Sequence, residues 1–460
     1  MRLVTCGIIG LVALTTGALG ATGRAHAQAP QADAALVQAT AFQATIYGYP
    51  LLGMYRRMSE EVLDPATGKA PFDAYFHWTE LATPDASPFP APNNDTLYST
   101  AWLDLRREPV ILSVPDTKGR YYTAHVMDMT TETIANIGQR LNGTEEGQFA
   151  VVGPGWHGDL PPGIKGVVHC ETAFAYVLLR VLVDGPEDVA DVTALQKQYS
   201  IALLSNYLAG KRGASETDAF PPYRASTAAE RMAMLNTIIR ASPVRVEDRG
   251  MVASFAPIGV GPFKSSLTIK PSEALLAEAE TKARSLIASV GPRTGGFVNG
   301  WRMPPEAIGK YGVDYLQRAS VWDGGPLANI PEESFYPVAL LDGAGQPLNG
   351  STGRYVLRFS DGGLPPARAF WSLTMYRLDD KQLAPNPIRR YSIGNRTAGL
   401  DHGPDGSLTI AIQADAPPEK EMANWLPAPK APFYMVLRLY GPSQDALSGK
   451  WTPPAVERLP

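Results

Sequence analysis

Cysteine, charge and long apolar runs are all scarce in this sequence. The 460 residues include two cysteines, Cys6 and Cys170, and 19% of the residues are charged. Because Cys6 lies in an N-terminal segment that is predicted below to be removed, the rest of the chain holds one thiol and no internal disulfide. Beyond that segment no apolar run is long enough to span a bilayer. The formal net charge of −4 is mild and argues against a nucleic-acid partner.

Motifs with a known chemical mechanism are missing as well. The sequence has no Gly-x-Ser-x-Gly nucleophile elbow and no glycine-rich phosphate loop. Its six histidines do not recur at spacings that indicate a zinc site. These absences give no support to serine-based or phosphate-loop chemistry. They leave the cofactor unknown, with a divalent metal as an open option.

The N-terminus has the three parts of a signal peptide. Arg2 supplies a charged end, residues 3–19 are apolar and uncharged, and Ala25-His26-Ala27 offers small residues where a signal peptidase cleaves. The sequence therefore predicts a signal peptide over 1–27 and a mature protein that is periplasmic or secreted. One alternative is a membrane anchor, for which the apolar run is short and glycine-rich. The other is a lipoprotein attached through Cys6, but Cys6 lies before the apolar region instead of after it.

The residue patterns divide the rest of the chain into four regions: an N-terminal helical segment (28–87), a first β-sandwich (88–186), a largely helical middle region (187–335) and a second β-sandwich (336–460). Glycine and proline are frequent, as expected for many turns between short strands. In the first region Pro50 predicts an interruption between two helices. In the middle region Asp188–Leu208 has helical spacing, and Thr227 with Glu230 predicts a helix start.

Two strand segments resemble each other and suggest an internal repeat. Residues 173–180 read Ala-Phe-Ala-Tyr-Val-Leu-Leu-Arg, and residues 432–440 read Pro-Phe-Tyr-Met-Val-Leu-Arg-Leu-Tyr. A Gly-Pro pair follows each segment within a few residues. Common ancestry of the two sandwiches stays open, and so does the plainer alternative that sandwich strands look alike.

The densest polar cluster is the run from Pro92 to Tyr98, which contains Asn93, Asn94 and Asp95. Asn and Asp side chains bond to nearby backbone groups and shape turns. Their oxygens also bind hard cations such as Ca²⁺, although the spacing does not match an EF-hand loop. A structural turn and a binding or metal site therefore both stay open here.

A second cluster runs from Tyr121 to Asp128. In a regular strand Tyr121, Thr123 and His125 share one face, which is polar and aromatic like the wall of a pocket, whereas Asp128 lies on the other face. His125 is thus a candidate general base or metal ligand, and Tyr121 is a candidate for lining the site.

The C-terminal part holds a third group of candidate side chains: Trp371, Arg390, Asn395, Arg396, Asn424 and Trp425. Arginine binds carboxylates in a bidentate manner, and aromatic rings stack on ligands and cations. The group is therefore typical of a site for an anionic or sugar-like ligand. The alternative is that the tryptophans belong to the core and the arginines brace loops.

These motifs resemble a pair of uncharacterised bacterial families. The stretch from Pro92-Asn93-Asn94-Asp95-Thr96 through Tyr121-Tyr122 resembles the domain of unknown function numbered 1254. The stretch Phe370-Trp371-Ser372-Leu373-Thr374, together with 390–397 and 424–429, is similar to the domain of unknown function numbered 1214. The resemblance implies a mainly β fold class with α: an immunoglobulin-like β-sandwich, a helical insert and a second, jelly-roll-like β-sandwich. It implies no settled activity.

The leading functional hypothesis is an exported, extracytoplasmic hydrolase that acts on a small or polymeric polar substrate. Asp95 and His125 would serve as acid–base groups or metal ligands. The substrate-binding candidates are Asn93, Asn94, Tyr98, Tyr121, Trp371, Arg390, Asn395, Arg396, Asn424 and Trp425. A glycan- or envelope-binding protein without catalysis is the alternative, and a structural envelope protein is a third. Fold-level analogy does not choose among them, and a homo-oligomer stays open.

Overall fold

The computed structural model describes residues 19–85, 90–211 and 218–460. Two β-sandwiches follow each other along the chain, and a layer of helices packs on the first. The predicted signal peptide, 1–27, lies largely outside the described residues, and its last part forms the first turns of a helix. The signal peptide therefore stays a prediction.

A long helix, α1 (Leu19–Met58), opens the described chain. The predicted interruption at Pro50 is wrong, since the helix continues through it. Proline inside a helix removes a hydrogen bond and costs about 3 kcal/mol. Leu51, Met54 and Tyr55 are each less than 5% exposed, and burying such a side chain is worth roughly 1.5–3 kcal/mol. Packing of the helix on the core therefore outweighs the local preference of Pro50.

The first sandwich is built from nine strands within the described ranges: β1 (Phe76–His77), β2 (Thr96–Asp104), β3 (Val110–Val114), β4 (Tyr122–Asp128), β5 (Thr133–Gly138), β6 (Gly147–Val152), β7 (Ile164–His169), β8 (Phe174–Leu182) and β9 (Ser200–Leu203). A five-stranded sheet has the order β1-β2-β8-β4-β5, and a four-stranded sheet has the order β7-β6-β3-β9. One apolar core joins their inner faces, with Leu97, Val126 and Val177 on one sheet and Leu112 and Val151 on the other.

The shorter helices follow in chain order: α2 (Gln139–Asn142), α3 (Val189–Gln196), α4 (Leu204–Leu208), α5 (Ala228–Arg240), α6 (Arg249–Ala253), α7 (Glu273–Val290), α8 (Tyr315–Gly324) and α9 (Gln444–Leu447). Helices α1, α5, α7 and α8 contact one another. They cover part of the outer face of the five-stranded sheet, where Trp102 and Tyr176 join their core. The helix start predicted from Thr227 and Glu230 is confirmed by a reciprocal capping box.

Two glycines of α1 allow this close helix packing. A Cβ atom on Gly48 would lie 2.7 Å from the Leu235 side chain of α5, and one on Gly53 would lie 2.3 Å from the Trp322 indole of α8. Both distances are far below van der Waals contact, so a larger residue would push the neighbouring helix away.

The predicted helix over Asp188–Leu208 is correct at its two ends only. Residues Ser200–Leu203 form β9, which pairs with β3 at the edge of the four-stranded sheet. Ile201 and Leu203 enter the sandwich core from this strand. The first sandwich thus extends beyond 88–186, and on the N-terminal side β1 also joins it. A short run of apolar residues is compatible with a helix or with a strand. Here the run forms a strand because it pairs with the edge of the sheet at β3.

The second sandwich is built from eleven strands within the described ranges: β10 (Phe297–Val298), β11 (Trp301–Arg302), β12 (Ser334–Phe335), β13 (Val338–Ala339), β14 (Arg354–Phe359), β15 (Ala367–Arg377), β16 (Ser392–Gly394), β17 (Leu408–Gln413), β18 (Trp425–Pro427), β19 (Phe433–Pro442) and β20 (Val456–Leu459). One sheet has the order β10-β11-β13-β19-β15-β16, with β12 also paired to β19, and the other has the order β18-β17-β14-β20. Leu357 and Ile410 meet Leu373 and Leu437 in the core between them.

The predicted fold class, β-rich with α and built on two sandwiches, is confirmed. The finer immunoglobulin-like and jelly-roll-like descriptions stay predictions. The two segments that suggested a repeat become β8 and β19, each an inner strand of its sheet. No helix in the described part of the chain is long and apolar enough to cross a membrane.

Candidate functional site

The two sandwiches meet through the outer faces of the sheets that contain β8 and β19. The ring of Tyr121 lies just before β4, with its centroid 5.5 Å from that of Phe370 on β15 and 5.6 Å from that of Tyr440 on β19. Leu182, at the end of β8, belongs to the same buried cluster. Aromatic contacts therefore close this interface, and the polar candidates of the sequence can be placed relative to it.

Asn93 and Asp95 fasten the start of β2 to the second sandwich. Asn93 Oδ1 accepts hydrogen bonds from the backbone amides of Asp95 and Thr96 at 3.1 and 3.0 Å, while its Nδ2 donates to the Tyr440 hydroxyl at 2.8 Å. Asp95 accepts from Ser372 Oγ at 2.6 Å and from Arg396 Nη2 at 3.1 Å. The run from Pro92 is thus a structural turn, and it also brings a buried carboxylate into the interface. Asn94 adds a buried Oδ1 that has no hydrogen-bond partner.

Glu333 is a second buried carboxylate in the interface. Its Oε1 accepts a hydrogen bond from the Tyr121 hydroxyl at 2.7 Å, and its Oε2 accepts from Arg140 Nε at 2.6 Å. Burial, together with the negative charge of Glu333, holds the pKa of Tyr121 well above its usual value. The Tyr121 hydroxyl therefore remains protonated and acts as a donor.

Two further arginines lie in the middle of the interface, one from each sandwich. Arg180 on β8 is 7% exposed, and its buried Nε and Nη1 have no hydrogen-bond partner. Arg438 on β19 is 4% exposed and donates to Thr374 Oγ1 and to the carbonyl oxygen of Ala91, both at 2.9 Å. Neither forms a salt bridge with any carboxylate in the described ranges. Because a guanidinium stays protonated in proteins, both side chains carry an uncompensated positive charge.

Tyrosines surround these two arginines. The guanidinium carbon of Arg180 lies 5.8 Å from the ring centroid of Tyr98, and that of Arg438 lies 5.3 Å from the ring of Tyr336. Tyr98, Tyr336 and Tyr440 are close enough to interact electrostatically with both charges. Burial raises the pKa of Tyr98 and of Tyr440, so their hydroxyls are neutral near pH 7 and do not balance the arginines.

His125 on β4 is completely buried beside this cluster. One ring nitrogen, Nε2, lies 2.8 Å from Thr133 Oγ1, and Nδ1 has no hydrogen-bond partner. Burial lowers the pKa of His125 well below its usual value, and the charge of Arg180 lowers it further. The imidazole is therefore neutral near pH 7.

The structure does not bring His125 and Asp95 together. His125 pairs with Leu178 on β8, whereas Thr96, the residue after Asp95, pairs with Leu182. Four residues of strand separate these positions, or about 13 Å at roughly 3.3 Å per residue. The two side chains line one interface, but they do not form an acid–base pair around one bond.

Most of the C-terminal candidates brace loops inside the second sandwich. Arg390 Nη1 donates to the carbonyl oxygens of Met422, Ala423 and Trp425 at 3.1, 2.9 and 3.0 Å. Asn424 accepts from the backbone amide of Asp401 at 2.9 Å and donates to its carbonyl oxygen at 2.6 Å. These contacts match the loop-bracing alternative.

The two candidate tryptophans lie in the interior, and one of the remaining polar candidates reaches the interface. Trp425 is 1% exposed and Trp371 is 4% exposed, and Asn395 Oδ1 accepts from the backbone amide of Trp371 at 2.9 Å. Arg396 instead contacts the first sandwich, through Asp95 and, at 2.9 Å, through Asp184.

A metal centre finds no ligand set in the part of the chain that the structure describes. No group of three or more His, Cys, Asp or Glu side chains lies together there in a way that could hold a metal ion. Of the two candidate ligands, Asp95 accepts hydrogen bonds from Ser372 and Arg396. His125 is buried, with its Nε2 beside Thr133 Oγ1.

Sequence reasoning missed Arg180, Arg438 and Glu333 as site residues. A signal for the two arginines was present, because each is the one charged residue inside a strand of otherwise uncharged residues. Both strands are buried throughout, and a charge in such a strand needs a partner or a function. Glu333 carried no such signal, since it precedes a strand of two residues.

Comparison with known families agrees with this layout. Residues 72–202 match the family "Protein of unknown function (DUF1254)". Residues 333–444 match the family "Protein of unknown function (DUF1214)". The predicted pair of families is therefore confirmed, with the first at the N-terminal side and the second at the C-terminal side. Arg180 falls in the first matched segment and Arg438 in the second, so the interface joins the two domains.

One solved structure shares this fold over most of the chain. The crystal structure of the VPA0106 protein from Vibrio parahaemolyticus is 28% identical in sequence, covers 92% of this chain and all of its own, and superposes with a TM-score of 0.73. A putative uncharacterized protein from Burkholderia cenocepacia is 13% identical, with a TM-score of 0.45 and coverage of 95% of this chain and 98% of its own. No curated protein matches the chain.

Proposed function

We propose that this protein binds a small anionic ligand in the interface between its two sandwiches. The observation that carries the proposal is Arg180, a buried guanidinium with two nitrogen atoms that lack any hydrogen-bond partner. A buried charge without a partner is strongly destabilising, by several kcal/mol in order of magnitude. A carboxylate or phosphate group bound against Arg180 would offset that penalty and accept a hydrogen bond from one of these donors.

The ligand class is narrower than the polar substrate predicted from the sequence. Less than a tenth of the surface of each of Arg180, Tyr98 and Arg438 is exposed to solvent. This burial favours a small ligand over a polymer. Glycan stacking on Trp425 has no support, because that ring is buried and its Nε1 donates to the Gln413 carbonyl oxygen at 2.9 Å. Arg390 and Asn424 hold backbone groups, so they are also engaged.

A hydrolase remains the second candidate function, supported by one observation. His125 is neutral and has an unpartnered Nδ1 beside Arg180. A neutral imidazole accepts a proton, and an anionic substrate held by Arg180 would place its reactive group near that nitrogen. If the protein is a hydrolase, the anion in the interface is its substrate. His125→Gln would then abolish turnover while retaining substrate binding.

We also propose that the protein acts outside the cytoplasm. The support is the N-terminal sequence, whose charged, apolar and small-residue parts have the order of a signal peptide. The ligand would then be an anion of the periplasm or the medium.

Calorimetric titration and thermal unfolding of the purified protein test the binding proposal. Acetate, succinate, phosphate and sulfate are titrated at low ionic strength, with sodium chloride at matched ionic strength as the control. We expect saturable binding of at least one anion and a matching rise in the unfolding temperature, because a ligand that binds the folded state stabilises it. Equal responses to every anion and to chloride would contradict the proposal.

A further inference from the structure

We infer that the ligand is a dianion whose two anionic ends contact Arg180 and Arg438, as in a small dicarboxylate. This inference rests on the proposed function and deepens it, because it assigns the charge of the ligand and its orientation.

The buried charges of the interface leave an excess of two positive charges. Arg396 and Arg140 are each paired with a buried carboxylate, Asp95 and Glu333 respectively. The remaining two arginines have no carboxylate partner in the described chain. The raised pKa values of Tyr98 and Tyr440 keep these two hydroxyls neutral near pH 7, so they do not offset this excess. Neutralising two buried positive charges takes either two monoanions or one dianion.

The placement of the two arginines favours one dianion. Arg180 projects from β8 of the first sandwich and Arg438 from β19 of the second, and both charges lie near Tyr98, Tyr336 and Tyr440. One shared group of tyrosines indicates one site between the arginines. Two separate monoanions there would repel each other at low dielectric constant, whereas a dicarboxylate holds its charges at a fixed separation.

The donors at the two ends differ in a way that orients the ligand. Arg180 offers Nε and Nη1, two buried donors that no protein group uses. They lie on different edges of the guanidinium, so one carboxylate accepts a charge-assisted hydrogen bond from one of them. Arg438 already donates to Thr374 and to Ala91. We therefore assign the directly hydrogen-bonded carboxylate contact to Arg180, and a contact that relies more on charge to Arg438.

Matched pairs of ligands test the inference. Malonate, succinate and glutarate are each compared by calorimetry with their monoamides, which have the same size and one charge less. Losing a charge-assisted contact in a buried site corresponds to roughly tenfold to hundredfold weaker binding. We expect at least one diacid to bind more tightly than its monoamide by that factor. Equal affinity within every pair would overturn the dianion while leaving anion binding intact, and no binding of any anion would overturn both.

Arginine variants assign the two ends. In Arg180→Gln and Arg438→Gln we expect the diacid and its monoamide to bind with similar affinity, because one end has lost its charge partner. Arg180→Lys keeps the positive charge but lacks the planar guanidinium, and it replaces Arg180→Gln in this test if the glutamine variant does not fold. We expect this lysine variant to bind the diacid more weakly than the natural protein does, and still to bind the diacid more tightly than its monoamide. Arg358→Gln, whose side chain is 54% exposed on β14, is the matched control. Retained diacid preference in both glutamine variants would overturn the assignment.

Discussion

Arg180 illustrates how a single residue position reveals a site. It lies on β8 opposite Tyr98 of β2 and Thr123 of β4, in a strand whose nine residues are all buried. A methionine or leucine would fit the apolar character of this strand at no electrostatic cost. Natural proteins tolerate a locally unfavourable residue chiefly where function requires it. The unpartnered guanidinium is therefore best explained by a ligand.

His125 makes a prediction about pH at the same scale. Its pKa in the folded protein is held well below the usual 6.5 of histidine, so below about pH 6.5 the unfolded chain binds a proton that the folded chain does not. Stability is therefore lost as the pH falls through 6.5, at about 1.4 kcal/mol per pH unit from this residue. We expect urea unfolding between pH 7.5 and 5.5 to show a steeper loss for the natural protein than for His125→Gln.

His402 provides the control for that measurement. It is exposed in a turn of the second sandwich, so His402→Gln should retain the pH dependence of the natural protein. If His125→Gln and the natural protein lost stability in parallel, the account of a buried neutral histidine would be wrong.

The site residues were only partly predictable from the sequence. Polar runs identified Asn93, Asp95 and Tyr121, because clustered polar and aromatic residues at strand ends are visible without a structure. Among the C-terminal candidates, Arg390 and Trp425 have the residue types of a ligand site, but the structure shows them bound to backbone groups. Which arginines remain unpaired depends on contacts between residues hundreds of positions apart, and no local pattern encodes these.

At the scale of elements, Arg396 connects β16 of the second sandwich to the start of β2 and the end of β8. Its two carboxylate partners differ in burial, with side-chain exposures of 5% for Asp95 and 57% for Asp184. Asp95 also accepts a hydrogen bond from Ser372, so its loss would leave two buried donors without partners. The same arginine thus offers a buried and an exposed ion pair for comparison.

We expect Asp95→Ala to lower the free energy of unfolding by roughly 2–4 kcal/mol, because breaking a buried pair leaves unsatisfied groups. Asp184→Ala, the matched control, should cost about 0–1 kcal/mol, as is usual for an exposed pair. Urea unfolding of both variants measures the difference. Similar small losses in the two variants would show that Asp95 does not hold the sandwiches together.

Elements themselves were predicted well where they are strongly apolar. The two segments predicted as strands from the sequence, 173–180 and 432–440, fall in β8 and β19 apart from their first residue. It failed at Pro50 and at Ser200–Leu203, where tertiary packing decides the local structure. The partners that decide these two cases are the core under α1 and the free edge of β3, and neither is visible in a sequence window.

At the scale of the whole molecule, the described core begins after the predicted signal peptide. The first core residue of α1 in the described chain is Val37, ten positions after the predicted cleavage site at Ala27. Removal of 1–27 would leave Val37 and the core residues of α1 that follow it in place.

We accordingly expect the protein isolated from the periplasm of a bacterial host to begin at Gln28. Intact mass measurement and N-terminal sequencing check this directly, with an Ala25→Lys, Ala27→Lys double variant as the uncleaved control, because signal peptidase reads small residues at these two positions. A periplasmic or secreted product that retains Met1 or starts elsewhere in the apolar run would contradict the proposed processing.

The central claim is that an anion compensates the buried charge of Arg180, and Arg180→Met tests it most directly. Without anion we expect the variant to unfold at a higher temperature than the natural protein, with a gain of about 1–4 kcal/mol, because an unpaired buried charge is replaced by an apolar side chain. With saturating anion we expect the natural protein to gain stability and the variant to gain none. A variant that is less stable than the natural protein, and is stabilised by the anion to the same degree, would contradict the account.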